Sequence, residues 1–125
     1  MKFLVAGATG RVGRYLVEQL NASGHQVLAL TRDASKAAFS RGVEIVEGDL
    51  TNPASIAPAM EGVTGLHLIN FNGGDYSPLE TGGEIIQLAE RAGVKRVTIL
   101  GAGEETSVEQ AAKASSLAWT ILQPV

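Results

Sequence analysis

A single α/β domain built on a doubly wound parallel sheet is predicted by three features of the sequence. Short apolar runs alternate with amphipathic helical segments from end to end. The first apolar run, residues 3–6, is unbroken, as expected of a parallel strand covered on both faces. A glycine-spaced turn, Gly7-Ala8-Thr9-Gly10-Arg11-Val12-Gly13, joins the first run to the first helix.

Each element has its own signal. Residues 3–6 are fully apolar and closed by Gly7, giving a first strand. Residues 11–21 carry Val12, Leu16 and Leu20 at four-residue spacing, which places them on one helix face. Gly24, within Ser23-Gly24-His25, is the left-handed cap. Residues 26–30 and 44–47 form the second and third strands. Asn52-Pro53 reads as an N-cap followed by proline at the first helical position, starting a helix that runs to about Met60. Residues 65–70 form the fourth strand. Residues 79–92 are helical, with Ile85, Leu88, Ala89 and Ala92 as the inner stripe. Gly82-Gly83 weakens the first turns of that helix, and Gly93 caps it. Residues 96–100 form the fifth strand. Thr106 with Glu109, and Ser107 with Gln110, offer overlapping capping boxes for a helix to about Ser116. Residues 119–122 form the sixth strand, stopped by Pro124, and their apolar run suits a buried parallel position. Single helices between strands imply right-handed crossovers. For a doubly wound sheet of the Rossmann type, opened by such a glycine turn, the expected order is 3-2-1-4-5-6. Asn72-Gly73-Gly74-Asp75 reads as a mobile loop. Internal repeats, linkers and low-complexity tracts are missing from the sequence.

Composition bounds the function. The chain has 125 residues, which fits one domain spanning residues 1–125. It is 45% hydrophobic and 18% charged, enough to bury a core. The net charge of −3, without blocks of like charge, argues against nucleic acid as a partner. The lack of cysteine excludes thiol catalysis, disulfides and thiolate metal sites. The apolar start is too short for a signal peptide or a membrane span, so a soluble cytoplasmic protein with no membrane partner is expected.

The glycine turn carries the most chemistry. Its G-x-x-G-x-x-G spacing follows a strand and opens a helix, the context that gives such a motif meaning. Gly7 permits a sharp turn, Gly10 lets backbone approach a pyrophosphate, and Gly13 lets the helix pack close to the sheet. Thr9, Arg11 and Val12 complete the loop, whose helix N-terminus offers free N–H groups to phosphates. This is the signature of a Rossmann-type dinucleotide site. The tip of the second strand then selects the cofactor. An NAD(H) site carries an acid there, whereas Leu30-Thr31-Arg32 does not. Arg32, 19 residues after Gly13, can hold a 2′-phosphate through a bidentate contact. Arg11 can reach the same group and Lys36 adds charge. NADP(H) is therefore expected over NAD(H), with Asp33 as the competing acid should the tip shift by one residue. The alternative for Arg32 is an ordinary surface arginine. Asp49 can accept from an adenine amino group and Leu50 can pack on the ring, unless Asp49 simply caps the next turn. Asn70, Phe71 and Asn72 follow the fourth strand and should border the ligand, with ordinary packing as the equal alternative for Phe71.

The glycine loop, Thr31-Arg32 and Gly48-Asp49-Leu50 together resemble the NmrA-like atypical short-chain dehydrogenase/reductases. So do Ala92-Gly93-Val94-Lys95-Arg96-Val97 and Trp119-Thr120-Ile121-Leu122-Gln123-Pro124. The resemblance covers the whole chain, but only the family's N-terminal, cofactor-binding part. It implies NADP(H) binding and an NAD(P)H-dependent oxidoreductase acting on a small molecule that the motifs do not name. It also implies a substrate-binding region that would begin where this chain stops, at Val125, so self-association through uncovered apolar surface is expected. Three departures bear on catalysis. The Tyr-x-x-x-Lys pair of short-chain dehydrogenases is missing, since Tyr76 is followed at that spacing by Glu80 and Tyr15 by Gln19. Leu100-Gly101-Ala102-Gly103 replaces the usual serine-bearing segment, and Gln123 stands where the family has arginine. No catalytic residue is assigned, and a non-catalytic redox-sensing or regulatory module is the alternative function. His25 and His67 read as structural, Lys113 as a solvated helix face and Trp119 as core. Glu104-Glu105 is a carboxylate pair without the partners a metal needs, and no metal site is expected.

Overall fold

The computed structural model describes residues 1–72, 77–101 and 103–123, with Lys36 described by its backbone alone. The apolar runs become strands β1 (Lys2–Val5), β2 (Gln26–Thr31), β3 (Glu44–Glu47), β4 (Gly65–Ile69), β5 (Arg96–Leu100) and β6 (Ala118–Leu122). The helices are α1 (Arg11–Ala22), α2 (Pro53–Ile56), α3 (Gly82–Ala92) and α4 (Ser107–Lys113). A 3-10 turn, Ala57–Met60, continues α2, and another, Ala34–Lys36, follows β2. All strand pairs are parallel, in the order β3-β2-β1-β4-β5-β6 that the Rossmann-type reading predicts.

The register sorts side chains onto two faces. Leu4 lies beside Leu28 and Leu66, Leu66 beside Val97, and Val97 beside Trp119. Except for Trp119, which is half exposed, this row faces α2, α3 and α4 and forms the larger core with Ile56, Ile85, Ala89 and Val108. Each fully buried Leu or Ile contributes about 1.5–3 kcal/mol. On the other face, Val17 of α1 packs against Val5, Val27 and Ala29. One flank of α1 is tied toward the β2–β3 connection, where Asn21 Nδ2 donates to the Arg41 carbonyl at 3.1 Å and Ser40 N to Glu18 Oε1 at 3.2 Å. Helix α1 thus covers the β1–β2 half of its face. Successive helices swap faces at β1, where the strand order reverses and a crevice must open.

Four expectations are corrected. First, α3 starts at Gly82 rather than at residue 79, because the backbone of Leu79 is engaged elsewhere. Leu79 N donates to the Asn70 carbonyl at 3.0 Å, and Ser107 Oγ to the Leu79 carbonyl at 2.6 Å. Second, this use of Ser107 replaces its expected capping box, and only Thr106 with Glu109 forms one. Third, α4 ends at Lys113, before residues 114–116, where Ser115 Oγ donates back to the Ala112 carbonyl at 2.6 Å and competes with the helix ladder. Fourth, β6 is an exposed edge and not a buried strand. Trp119 and Leu122 are each 44% exposed, since β6 has a neighbour on one side only. Trp119 packs under the ammonium of Lys113, 5.9 Å from its ring centre, and Lys113 also pairs with Glu105.

Candidate functional site

A cavity of about 700 Å³ opens at the carboxyl ends of β1, β2 and β4, where the strand order reverses. Its floor is the glycine turn. Gly7 takes φ +61°, a left-handed conformation that turns the chain out of β1, and an added Cβ would meet Ile69 at 3.0 Å. A Cβ at Gly13 would lie 2.1 Å from the Gly7 carbonyl oxygen, so α1 can sit this close to the turn only with glycine there. Gly10 is the N-cap of α1 and supplies no side-chain cap, and the first turn of α1 has no acid. The N–H groups of that turn are therefore left for an external acceptor, with the positive end of a 12-residue helix behind them. Thr9, Arg11 and Val12 line the same cavity.

The rim beside β2 and β3 is charged. Arg32 is exposed at the end of β2, and its Nη1 donates to Asn72 Oδ1 at 3.5 Å, the limit for such a bond. Asp33 also lines the cavity, but its Oδ1 accepts from Ser35 N at 3.1 Å and Ser35 Oγ at 2.6 Å, capping the following 3-10 turn. Asp49 Oδ1 likewise accepts from Thr51 N at 2.9 Å and Thr51 Oγ1 at 2.8 Å. These bonds, helped by the nearby Arg32 charge, hold the Asp49 carboxyl below the usual carboxylate range against a small opposing effect of burial. Asp49 thus has the turn-forming role and a place on the cavity wall together. Leu50 is fixed beside it, its carbonyl accepting from Thr81 Oγ1 at 2.7 Å.

The segment after β4 is split. Phe71 and Asn72 face the cavity, bridged to Pro78 and to the Ser77 carbonyl. Asn70 does not line it. Its side chain is fully buried behind the wall, and its Nδ2 donates to Glu109 Oε2 at 2.9 Å. Glu109, only 1% exposed, is a buried carboxylate that the sequence reading took as a helix cap alone, and Thr31, Thr51, Ile69, Leu79 and Leu100 line the cavity without having been singled out. Its Oε1 accepts from Thr106 N at 3.1 Å and Thr106 Oγ1 at 2.7 Å. Burial pushes the Glu109 carboxyl up, but these bonds, its own backbone N–H and Asn70 outweigh that and leave it below the usual range. The capping-box reading had already accounted for Glu109. The overlooked signal is that it shares the inner stripe of α4 with Val108 and Ala112. A second cavity, about 310 Å³, adjoins the first through Phe71 and Leu79 and touches Asn70, Glu104 and Ser107.

The remaining candidates fall away from the site. His25 packs edge-on to Phe3, ring centres 5.0 Å apart. His67 is 4% exposed, with Nδ1 at 2.7 Å from Thr98 Oγ1, and burial lowers its pKa to about 4. Tyr15 is 69% exposed on α1 and does not line either cavity. Tyr76, Ala102, Pro124 and the loop residues Gly73, Gly74 and Asp75 lie outside the described residues, as does the side chain of Lys36. Among the described residues, His, Asp and Glu do not gather into a group of three that could hold a metal. Nor is any helix there long and apolar enough to cross a membrane.

Four similarities to known proteins bear on this site. A family model described as NAD(P)H-binding matches residues 7–125. The NAD(P)H azoreductase of Xenophilus azovorans is 31% identical over 135 residues, covering 97% of this chain and 46% of the azoreductase. The photosystem II assembly factor Ycf39 of Cyanophora paradoxa is 43% identical over 65 residues, or 50% of this chain and 20% of that protein. The crystal structure of the Citrobacter sp. triphenylmethane reductase complexed with NADP(H) superposes with a TM-score of 0.79 at 25% identity, covering 98% of this chain and 49% of the reductase. The chain spans less than half the length of each of these relatives.

Proposed function

The chain belongs to the NAD(P)H-binding family, and from that premise we propose that it binds NADP(H) as the cofactor-binding part of an NADPH-dependent oxidoreductase of the NmrA-like type. One observation carries the reading: an exposed arginine stands at the end of β2 on a cavity floored by an uncapped helix N-terminus, while the competing acid Asp33 is bonded to Ser35. The residues present fit the cofactor. The glycine cradle, closed to any Cβ at Gly13, and the first-turn N–H groups suit a pyrophosphate. Arg32, with Arg11 nearby in the loop, suits a 2′-phosphate. Asp49 and Leu50 suit an adenine, and Phe71 and Asn72 border the β4 side. When bound, the nicotinamide supplies hydride chemistry, and this chain's own residues orient it.

A second reading, a non-catalytic dinucleotide-binding module, is favoured by the sequence's lack of a Tyr-x-x-x-Lys pair and by the similarity to an assembly factor. A steady-state assay of NADPH absorbance separates the two. Poor turnover of quinones, azo compounds and carbonyls is expected from these 125 residues alone, with turnover appearing in a longer form that carries a substrate region. Binding without turnover in every form would favour the module.

A further inference from the structure

We infer that Glu109 is a positioning residue for the nicotinamide half of the dinucleotide, acting through Asn70. The inference rests on the cofactor reading above and goes beyond it to a residue that does not touch the cavity. In a capping box glutamine serves as well as glutamate. A cap therefore does not explain why a carboxylate is buried here at 1% exposure, where an unpaired charge would be costly. The two oxygens of Glu109 divide the work. Oε1 takes both Thr106 donors, and Oε2 reaches 39 residues back along the sequence to the Asn70 amide.

Among the described residues, Asn70 is held from β5, from Leu79 and from α4. Its N–H donates to the Leu100 carbonyl of β5 at 3.3 Å, its carbonyl accepts from Leu79 N at 3.0 Å, and its side chain is held by α4. The next two residues, Phe71 and Asn72, form the cavity wall. In this strand order a dinucleotide centred on the β1 turn lays its adenosine over β2 and β3 and its nicotinamide toward β4 and β5. The Glu109–Asn70 bond thus fixes the wall at Phe71, on the nicotinamide side, while Asn72, within reach of Arg32, belongs with Asp49 and Leu50 to the adenosine side.

The test compares NADPH with adenosine 2′,5′-bisphosphate, which carries the adenosine half alone, by calorimetric titration. Glu109→Gln keeps a capping oxygen but turns an N–H toward the Asn70 amide. It is expected to weaken NADPH roughly tenfold, the scale of one hydrogen bond to a charged group, and to leave the bisphosphate unchanged. Thr106→Ala weakens the helix cap, lowers the melting temperature and spares both affinities. Asn70→Ser removes the amide from the other side and is expected to match Glu109→Gln, and it serves alone if that variant fails to fold. Equal losses for the two ligands, no loss for either, or the same NADPH loss in Thr106→Ala would overturn the inference. Wild-type protein that binds neither ligand would overturn the cofactor reading itself.

Discussion

Replacing Arg32 with alanine isolates cofactor choice from fold. Arg32 is exposed, and its contact with Asn72 is at the limit of hydrogen bonding, so folding should lose little. Toward a 2′-phosphate the same guanidinium makes a charge-assisted contact, and such bonds contribute about 1.5–3 kcal/mol. Exposure to water sets the value here at the low end, about 1.5 kcal/mol, or about tenfold in affinity. Titration of wild type and Arg32→Ala with NADPH and NADH, at one fixed salt concentration, reads the effect directly. The expected result is a tenfold loss for NADPH with NADH unchanged. The NADPH advantage of the wild type should also shrink as salt rises, because the contact is exposed. Equal losses for both cofactors would refute the role. A wild type that prefers NADH would hand the ribose to Asp33, at the cost of its bonds to Ser35.

Other perturbations reach the scaffold. Gly13→Ala places a Cβ 2.1 Å from backbone, an overlap that α1 can relieve only by moving off the turn. Chemical denaturation should show a loss of about 1–3 kcal/mol, with NADPH binding abolished, and a variant of native stability and affinity would contradict the packing argument. His67 has a pKa of about 4 in the folded protein against 6.5 unfolded. Between those values the unfolded chain holds a proton that the folded chain rejects, so stability falls as pH drops from 6.5 toward 4. About 2 kcal/mol should go between pH 8 and pH 5 on this account. His67→Leu should flatten that part of the pH profile, and an unchanged slope would dismiss His67 as its source. Leu122→Lys places a charge on the exposed β6 edge and should lower any self-association seen by sedimentation. Association that is unchanged in this variant would locate the contact elsewhere.

Much of this was legible because parallel α/β proteins write their topology locally. The central strands carry their own apolar runs, as at residues 65–69, and their alternation with helices, taken with the Rossmann-type glycine turn, predicts the order, although β2 and β3 are joined through a 3-10 turn and no α-helix. The glycine turn was equally legible, since φ +61° at Gly7 and the tight approach at Gly13 leave few residue choices. The dual use of Asp49 was visible only as two rival roles, because a turn and a cavity wall can share one carboxylate. Edge status was hidden: residues 119–122 carry the apolar pattern of a central strand, and nothing local reports a missing neighbour. Glu109 was hidden for the opposite reason. A sufficient local role, the cap, masked the tertiary one, which depends on a partner 39 residues away.

The cofactor claim itself is tested most directly by titrating the chain with NADPH while following thermal unfolding. A ligand that binds only the folded state stabilises it by mass action, by about 2.7 kcal/mol when present at a hundred times its dissociation constant. A melting temperature that rises with NADPH concentration, and rises further than with NADH, is the expected result. An unfolding curve that does not move with millimolar NADPH or NADH would contradict the account at its root.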